Sequence, residues 1–199
     1  MSHYFVNDDK VVSRPREVIY SFKGVDFALK SDNGVFSKNE LDKGSELLIE
    51  TLLPIDLGEN ILDIGCGIGV IGLTLAYFTP SLNVCLTDVN TRALSLCSAN
   101  AKSLKLSQRV TILQSDIYKK IEGKFNSIVS NPPIRAGKKV TYEIYRGALE
   151  HLVDSGSLYI VIRKNQGAKS VMSYLEELFG NVALLAREKG YYVLKATKN

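Results

Sequence analysis

Apolar and polar residues along the chain change their pattern once, near residue 58. Before that point two short apolar-rich runs, Val18–Phe22 and Val25–Leu29, are separated by a Lys-Gly pair, which predicts a β-hairpin. A helical pattern follows over Glu46–Leu53 and stops at a proline. We therefore expect residues 1–57 to form an N-terminal extension packed on a core of residues 58–199, effectively as one domain.

Beyond the extension, strand-like and helix-like segments alternate along the chain. The predicted strands are Asn60–Ile64, Asn83–Thr87, Val110–Gln114, Phe125–Ser130, Leu158–Ile162, Val182–Arg187 and Tyr191–Ala196. The predicted helices are Val70–Phe78, Ala93–Leu104 with Thr91 as a nearby N-cap, Tyr142–Val153 and Ala168–Phe179. The alternation predicts an α/β fold with a seven-stranded, mostly parallel sheet, covered on both faces and with one antiparallel strand at its end.

Composition excludes several classes of protein. The chain has 199 residues, of which 45% are hydrophobic and 23% charged, so it can build a core and is not intrinsically disordered over most of its length. We find no apolar run long enough to span a bilayer and no secretory signal at the start, and we expect a soluble cytoplasmic protein.

Three scattered cysteines and two distant histidines predict reduced thiols and no zinc site. The net charge of +4 permits a nucleic-acid partner without requiring one.

The strongest local signal is the glycine-rich segment Asp63–Gly72, between the first strand of the core and the helix after it. Its second half matches the G-x-G-x-x-G dinucleotide fingerprint, with Asp88 near the end of the next strand. Its first half matches the D-x-G-x-G-x-G loop of methyltransferases that use S-adenosylmethionine. In both cases the glycines let the backbone approach a ligand closely, and Asp88 would accept hydrogen bonds from ribose hydroxyls. A plain strand-to-helix turn is the third alternative.

Three observations favour the methyl donor over a dinucleotide. Asp63 precedes the glycines, where it would repel a pyrophosphate but not a sulfonium that carries an ammonium group. Asp116 follows the third strand, where this class of enzyme places an acid that accepts from the adenine amino group. The chain that remains after the loop is also too short for the substrate domain that a dehydrogenase needs.

The deciding motif is Asn131-Pro132-Pro133, at the end of the fourth strand of the main sheet. Open parallel sheets bind ligands beyond the carboxyl ends of their strands, so Asn131 would face the methyl donor. The two prolines remove backbone donors, which leaves the Asn131 side-chain carbonyl and nearby backbone carbonyls as acceptors. An exocyclic NH2 group offers two hydrogen-bond donors to such a set, and its lone pair would then point at the methyl group. The alternative is a strand-terminating loop, since Asn-Pro-Pro is good turn chemistry.

At these residues the chain resembles class I methyltransferases of the small-domain type found in ribosomal RNA guanine-N2 methyltransferases (RsmC-like), in their single-domain Gram-positive form. The segments Ser31–Lys38 and Leu41–Ser45 resemble that family's stretch before the core, and Asn131–Lys138 resembles its catalytic loop. The resemblance implies a Rossmann-like class I methyltransferase fold. It also implies methyl transfer from S-adenosylmethionine to the exocyclic N2 amine of a guanine in ribosomal RNA, of the small subunit (16S).

The resemblance also implies roles for individual residues, carried over motif by motif. The catalytic residues would be Asn131, Pro132 and Pro133. The cofactor would contact Phe36, Asp63, Gly65, Cys66, Gly67, Gly69, Asp88, Val89, Asp116, Ile117 and Asn131. The RNA would contact Ile134, Arg135, Lys138 and Lys139. The implied partner is ribosomal RNA or the small ribosomal subunit, with no membrane and no metal.

Two expectations depend on the surroundings of particular side chains. Many Asn-Pro-Pro enzymes carry an aromatic residue next in the chain to stack on the target ring, but here that residue is Ile134. Stacking would then fall to Phe36, Tyr142 or Tyr145. If Asn131 contacts only the substrate amine, Asn131→Asp keeps an acceptor and should keep part of the activity.

Two other functions use the same motifs. A protein glutamine-amide N-methyltransferase would share the Asn-Pro-Pro chemistry, because an amide NH2 also offers two hydrogen-bond donors. Basic residues around the loop, such as Lys138, Lys139 and Arg146, argue mildly for RNA instead. A non-catalytic RNA-binding assembly factor that keeps the fold would have no physical need for the complete set of cofactor acids.

Overall fold

The structure, a computed structural model, describes residues 12–36, 40–133 and 136–199. Its strands are β1 Arg16–Phe22, β2 Val25–Ser31, β3 Asn60–Ile64, β4 Asn83–Asp88, β5 Val110–Gln114, β6 Phe125–Ser130, β7 Leu152–Arg163, β8 Ala183–Glu188 and β9 Tyr191–Thr197. Its α-helices are α1 Lys43–Leu52, α2 Val70–Phe78, α3 Thr91–Ser103, α4 Lys138–His151 and α5 Ala168–Phe179. Ile134 and Arg135, two of the predicted RNA contacts, lie outside the described residues.

Seven strands form the main sheet, in the order β5-β4-β3-β6-β7-β9-β8. Strands β3 to β7 pair in parallel, and β9 runs antiparallel to both β7 and β8. The chain order reverses between β3 and β6, and open sheets of this kind bind ligands at such a point, beyond the carboxyl ends of the strands. The predicted Rossmann-like sheet is confirmed. Its antiparallel strand lies second from the edge rather than at the edge, because β8 precedes β9 in the chain and pairs on its outer side.

The boundaries of α1, α3 and α4 differ from the sequence prediction, and α1 begins at Lys43 rather than Glu46. Asn90, not Thr91, caps α3, because the Asn90 side chain accepts a hydrogen bond from the backbone N–H of Ala93. Helix α4 begins at Lys138, well before the predicted Tyr142, and ends at His151, where the chain passes directly into β7. The early start places the first turn of α4 directly beside the Asn-Pro-Pro loop.

Helices cover both faces of the sheet, as the alternating pattern predicted. One hydrophobic cluster joins α1, α2 and α3 with the inner face of the hairpin, and the other joins α4 and α5. Side chains such as Leu48, Leu52 and Leu75 are fully buried, and each contributes about 1.5–3 kcal/mol relative to an exposed position. No helix within the described residues is long and apolar enough to cross a membrane.

The hairpin of β1 and β2 is tied to the core by aromatic and polar contacts. The rings of Tyr20 and Phe27 stack at 5.0 Å, and Phe27 meets Tyr77 of α2 edge-on at 5.1 Å. Buried Asn100 of α3 donates to Lys30 O at 3.1 Å and accepts from the Lys30 N–H at 2.7 Å. These contacts give the hairpin and the core one shared hydrophobic cluster, while the proposed division at residue 57 stays a prediction.

Candidate active site

A cavity of about 440 Å³ opens at the carboxyl ends of the parallel strands, a typical volume for a small-molecule site. It has two sides, which belong to the two halves of the sheet. The glycine-loop side, at the ends of β3, β4 and β5, consists of Ile64, Gly65, Gly67, Thr87, Asp88, Val89, Ala93, Ser115, Asp116 and Ile117. The Asn-Pro-Pro side, around β6, β7 and β9, consists of Asp42, Asn131, Pro132, Pro133, Ala136, Val140, Ile144, Arg163, Gln166 and Tyr191, and Phe36 also lines the cavity.

Two glycines bring the backbone itself to the cavity. The N–H groups of Gly65 and Cys66 both donate to Thr87 O, at 2.8 and 2.9 Å, which ties the loop to the neighbouring strand. Gly65 and Gly67 have φ angles of 72° and 56°, and a Cβ on either would meet no atom within 4 Å. A ligand can therefore lie against bare backbone at both positions.

The other two glycines of the segment serve packing instead. A Cβ on Gly69 would lie 2.7 Å from Cys97 Sγ, and a Cβ on Gly72 would lie 2.4 Å from Leu86 Cδ2. Neither glycine lines the cavity. Because the start of α2 presses against α3 and β4 at these points, larger residues would push the helix off the sheet.

Asp63 lies behind the cavity wall rather than on it. Its carboxylate is fully buried, with Oδ2 accepting from the Gly72 N–H at 2.9 Å and Oδ1 without a hydrogen-bond partner. Burial raises the pKa of Asp63 to about 7. Cys66 is also buried behind the wall, and burial together with the neighbouring Cys97 thiol raises its pKa, so its thiol is a packing group. Three residues predicted to contact the cofactor, Asp63, Cys66 and Gly69, thus support the loop from within.

Asp88 lines the cavity and holds the glycine loop at the same time. Its Oδ2 accepts from the Gly67 N–H and its Oδ1 from the Asn90 N–H, each at 2.9 Å. Burial raises the pKa of the Asp88 carboxyl, and these backbone hydrogen bonds oppose the rise. Val89, Asp116 and Ile117, for which we predicted contacts with the cofactor, line the cavity beside it. The Asp116 carboxylate is exposed and forms a surface ion pair with Lys119, which contributes little stability.

The amide of Asn131 is oriented by the N-terminus of α1. Its Nδ2 donates to Asp42 Oδ2 at 2.9 Å and to Ser45 Oγ at 3.0 Å. Because an ionised carboxylate only accepts hydrogen bonds, the nitrogen must point at Asp42. The Oδ1 carbonyl is left at the cavity wall, and no described residue donates a hydrogen bond to it.

Asp42 and Ser45 hold the Asn131 side chain, a contact that the sequence analysis did not predict. The same Asp42 oxygen accepts from the N–H groups of Gly44 and Ser45, at 2.9 and 3.0 Å, and so caps α1. Both residues lie in the segment Leu41–Ser45, which is one of the segments that carry the family resemblance. The expectation that Asn131→Asp keeps part of the activity is wrong in its premise, because Asn131 has a carboxylate partner as well as any substrate.

Arg163 and Tyr191 form a fixed pair on the Asn-Pro-Pro side. They face each other across the β7–β9 ladder. Arg163 Nε donates to the Tyr191 hydroxyl at 2.7 Å, and the guanidinium carbon lies 4.8 Å from the centroid of the Tyr191 ring. Both residues line the cavity, and Tyr191 carried no sequence signal beyond its place at the start of a strand.

The aromatic residues predicted to stack on a target ring lie in different places. Tyr145 is fully buried with no hydrogen-bond partner for its hydroxyl, and Tyr142 packs on Tyr174 with 4.3 Å between ring centroids. Neither lines the cavity. Of the three predicted residues only Phe36 does, with 37% of its surface exposed.

The lysines predicted to contact RNA lie at the rim of the site. Lys138 and Lys139 are exposed in the first turn of α4, which has no acidic residue and no side-chain cap. Two positive side chains at the positive end of a helix dipole are unfavourable unless an anion binds there. This turn follows the Asn-Pro-Pro loop, so an anion bound to it would lie close to the cavity.

The charges on the cavity wall favour a cationic ligand. Over the described residues the lining includes three carboxylates, Asp42, Asp88 and Asp116, and one guanidinium, Arg163. The same described residues contain no group of three or more His, Cys, Asp or Glu side chains that could hold a metal ion. The glycine-loop side therefore offers open backbone, acids and apolar surface to its ligand.

Comparisons with known proteins agree with this geometry. Residues 26–195 match the family model described as methyltransferase small domain. The Bacillus subtilis (strain 168) uncharacterized protein YbxB is 43% identical over 198 residues, which cover 98% of both chains. Ribosomal RNA small subunit methyltransferase C of Erwinia tasmaniensis is 36% identical over 181 residues, which cover 87% of this chain and 50% of that protein.

Solved structures share the fold. The T. thermophilus 16S rRNA N2 G1207 methyltransferase (RsmC), in complex with AdoMet and guanosine, matches with a TM-score of 0.83 and 25% identity over 93% of this chain and 51% of that one. A ribosomal protein L11 methylase from Lactobacillus delbrueckii subsp. bulgaricus matches with a TM-score of 0.64 at 18% identity, a likeness of fold alone. The chain thus spans nearly all of YbxB but about half the length of the methyltransferase C relatives.

Proposed function

The chain belongs to the methyltransferase small-domain family, and from that premise we propose that it transfers a methyl group from S-adenosylmethionine to the exocyclic N2 amine of a guanine in 16S ribosomal RNA. The observation that carries this proposal is the Asn131 side chain. Its nitrogen is held by Asp42 and Ser45, so its carbonyl oxygen remains at the cavity wall as a preorganised acceptor for an amine. The reaction would take place in the cytoplasm, on RNA or on the small ribosomal subunit.

The glycine-loop side fits S-adenosylmethionine. Gly65 and Gly67 leave open space where a side chain would stand, and Asp88 lies beside them with its carboxylate at the cavity. In the proposed arrangement Asp88 accepts from the ribose hydroxyls, and Asp116 accepts from the adenine amino group. The bound cofactor supplies an electrophilic methyl group on a positively charged sulfur, and the acids of the wall complement that charge.

On the Asn-Pro-Pro side the chain's own residues position the amine. Asn131 Oδ1 accepts one N–H of the amine, and Pro132 and Pro133 present no N–H that would compete for the nitrogen lone pair. A backbone carbonyl near Asn131 would accept the other N–H, and with both N–H groups held the lone pair points toward the methyl group. The proposed reaction needs no strong base at the amine, because the proton leaves to water after transfer and positioning supplies most of the rate enhancement.

The first turn of α4 supports RNA as the substrate class. Lys138 and Lys139 add two positive charges to uncapped N–H groups, an arrangement that favours phosphate. The T. thermophilus protein that shares the fold over 93% of this chain acts, by its description, on N2 of a guanine in 16S ribosomal RNA. The methyltransferase C relatives are named for the same ribosomal subunit.

A direct experiment separates this function from its rivals. The purified protein is incubated with methyl-labelled S-adenosylmethionine and with small subunits, or their extracted RNA, from a strain that lacks the gene. Nucleosides are then resolved by mass spectrometry, and we expect label in N2-methylguanosine. Label in protein instead would indicate a glutamine-amide methyltransferase, and cofactor binding without any transfer would indicate an assembly factor. Either result would overturn the proposal.

A further inference from the structure

The Asn131 carbonyl cannot by itself choose among the nucleobases. The exocyclic amines of guanine, adenine and cytosine each offer two N–H groups to an acceptor. If the proposed function holds, another group in the cavity must recognise guanine. We propose that Arg163 is that specificity-determining residue, and that the outer nitrogens of its guanidinium donate to O6 and N7 of the guanine whose N2 amine lies at Asn131.

The orientation of Arg163 is the first support for this role. Its Nε is already used by the Tyr191 hydroxyl, and its guanidinium lies over the Tyr191 ring. Tyr191 is buried, and it packs so closely on Gly44 that a Cβ there would lie 2.8 Å from its ring. The plane of the guanidinium is therefore fixed, which lowers the entropy lost when it binds a planar base.

The unused nitrogens of Arg163 are the second support. Within the described residues neither Nη1 nor Nη2 has a hydrogen bond, and no carboxylate forms an ion pair with the guanidinium. Arg163 lines the cavity, so these nitrogens offer a planar fork of donors to whatever binds beside Asn131. Such a fork matches the O6 and N7 acceptors of guanine, the commonest specific contact of arginine with a base.

The register of the sheet places the two recognition groups at a suitable separation. Ser130 of β6 pairs with Ile160 of β7 in parallel, so Asn131 follows that pair by one residue and Arg163 by three. One step across the sheet is about 4.8 Å and two residues along a strand are about 6.6 Å, so the two backbones are roughly 8 Å apart. A base whose N2 and O6 groups lie in one ring plane can reach both side chains.

The same arrangement discriminates against the other amines. Adenine has a single exocyclic amine, N6, and no carbonyl oxygen. With N6 at Asn131 it offers the Arg163 fork no O6 acceptor, and with N6 in the place of guanine O6 it meets the Arg163 donors with a donor and leaves Asn131 without an amine. Cytosine has no second ring and would leave part of the fork without an acceptor. A fixed arginine fork also matches the oxygens of a phosphate, so the test of base recognition must use nucleosides, which carry no phosphate.

A binding experiment with nucleosides tests the role of Arg163 without phosphate. The protein is saturated with S-adenosylhomocysteine and titrated with guanosine and with 2-aminopurine riboside, which keeps the 2-amino group but lacks O6. We expect the wild type to bind guanosine roughly 5- to 150-fold more tightly. The Arg163→Ala and Arg163→Lys variants should bind the two nucleosides within about twofold, because lysine keeps the charge but not the planar fork. 7-Deazaguanosine keeps O6 but lacks the N7 acceptor. The wild type should therefore bind it less tightly than guanosine, by a smaller factor than for 2-aminopurine riboside, and the two Arg163 variants should show no such difference.

Two further variants separate recognition from structure. Lys164→Ala removes an exposed charge next to Arg163 that does not line the cavity, and it should keep the full preference for guanosine. Tyr191→Phe keeps the ring and loses the hydroxyl that accepts from Arg163 Nε, and its preference should fall between those of the wild type and Arg163→Lys.

Three results would overturn the assignment. The first is equal binding of both nucleosides by the wild type, and the second is an Arg163→Ala variant that keeps the preference for guanosine. The third is an Arg163→Ala variant that binds guanosine 5′-monophosphate less tightly than the wild type does but binds guanosine equally well, which would make Arg163 a phosphate contact. Failure of the proposed function would give another result. The wild type would then bind S-adenosylhomocysteine but bind no guanosine and form no N2-methylguanosine.

Discussion

The two sides of the cavity are built in different ways. On the glycine-loop side, residues of two adjacent strand ends hold each other through the backbone, as when Asp88 accepts from the Gly67 N–H only 21 positions away. On the Asn-Pro-Pro side, side chains from remote segments meet. Asn131 is held by Asp42 and Ser45, which lie 89 and 86 positions before it. Arg163 is held by Tyr191 of another strand.

This difference fits the task that we propose for each side. A cofactor with many polar groups can be bound by backbone that approaches closely, and a short glycine-rich motif encodes that shape. An amine must be held within a few tenths of an ångström of the reacting position, which requires side chains whose own rotamers are locked by neighbours. We therefore expect damage to the Asn-Pro-Pro side to appear in turnover, and damage to the glycine-loop side to appear in cofactor affinity and stability.

The largest effect that separates the two sides is expected from Asn131→Ala. The variant loses the preorganised acceptor, and loss of one such contact typically lowers the rate by about 10²–10³-fold. Cofactor affinity should change little, since Asn131 belongs to the other side of the cavity. Single-turnover methyl transfer to RNA with saturating cofactor measures the first quantity, and calorimetry measures the second. Turnover close to that of the wild type would mean that Asn131 does not hold the amine.

Exchanging the acid and the amide tests the link between Asn131 and α1. Asn131→Asp alone places a second carboxylate within hydrogen-bond distance of Asp42, so we expect turnover to fall about as far as in Asn131→Ala. Adding Asp42→Asn restores one acid and one amide and keeps an oxygen to cap α1, so turnover should recover by roughly tenfold or more over Asn131→Asp, as expected when a repulsion of about 1.4 kcal/mol is relieved. If Asp42→Asn merely adds its own loss, the two side chains act independently.

The buried acid of the glycine-loop side should make stability depend on pH. Because the folded pKa of Asp63 is raised from 3.8 to about 7, the folded protein keeps a proton that the unfolded chain loses as pH rises from about 4 to 7. The free energy of unfolding should therefore fall across this range, by on the order of 2–4 kcal/mol from Asp63 alone. Asp63→Asn cannot titrate and keeps an acceptor for the Gly72 N–H, so urea unfolding should show a flatter pH profile. Parallel profiles for the two proteins would mean that Asp63 ionises normally.

Asp88→Ala should weaken the glycine-loop side without disabling the other. The variant loses an acceptor for the ribose and for the Gly67 N–H, and we expect cofactor binding to weaken by about 1–3 kcal/mol, or roughly 5- to 150-fold in Kd. Turnover at saturating cofactor should stay within a few-fold of the wild type. Asp116→Ala provides a comparison, because that carboxylate is exposed and its loss should matter less. An unchanged Kd in Asp88→Ala would remove the residue from the cofactor site.

The smallest expected effect concerns the rim next to the Asn-Pro-Pro side. Replacing Lys138 and Lys139 with Ala should raise the apparent Kd for RNA and leave cofactor affinity unchanged. The slope of log Kd against log salt concentration should decrease by at most about one unit for each lost phosphate contact. Lys169→Ala is the control, since Lys169 is likewise an exposed lysine in the first turn of a helix, α5. The same salt dependence in the wild type and the double variant would mean that these lysines are solvated surface.

Much of the fold was predictable because the periodicity of apolar residues is a local property. Strands such as Asn60–Ile64 and Val110–Gln114, and helices such as Val70–Phe78, have the predicted boundaries. The start of α4 at Lys138 was not predictable, because the apolar pattern there is weak and the helix is uncapped by any side chain. The position of β9 between β7 and β8 could not be predicted from the apolar pattern or the lengths of the segments. Strand order depends on which strand edges the packed sheet leaves open.

The sequence by itself determined the class of the fold and the residues of the glycine loop, because spacing along one short segment encodes backbone shape. It also placed Asn131, Pro132 and Pro133 at the end of a strand beside that loop. Only the tertiary structure decided that Asp63, Cys66 and Gly69 lie behind the cavity wall, since burial depends on what packs from other segments. It likewise decided that α1 orients the Asn131 amide and that β9 orients Arg163. Contacts between residues far apart in sequence leave no periodic trace in either segment, and hydrogen bonds between them form only once the sheet brings both to the same edge.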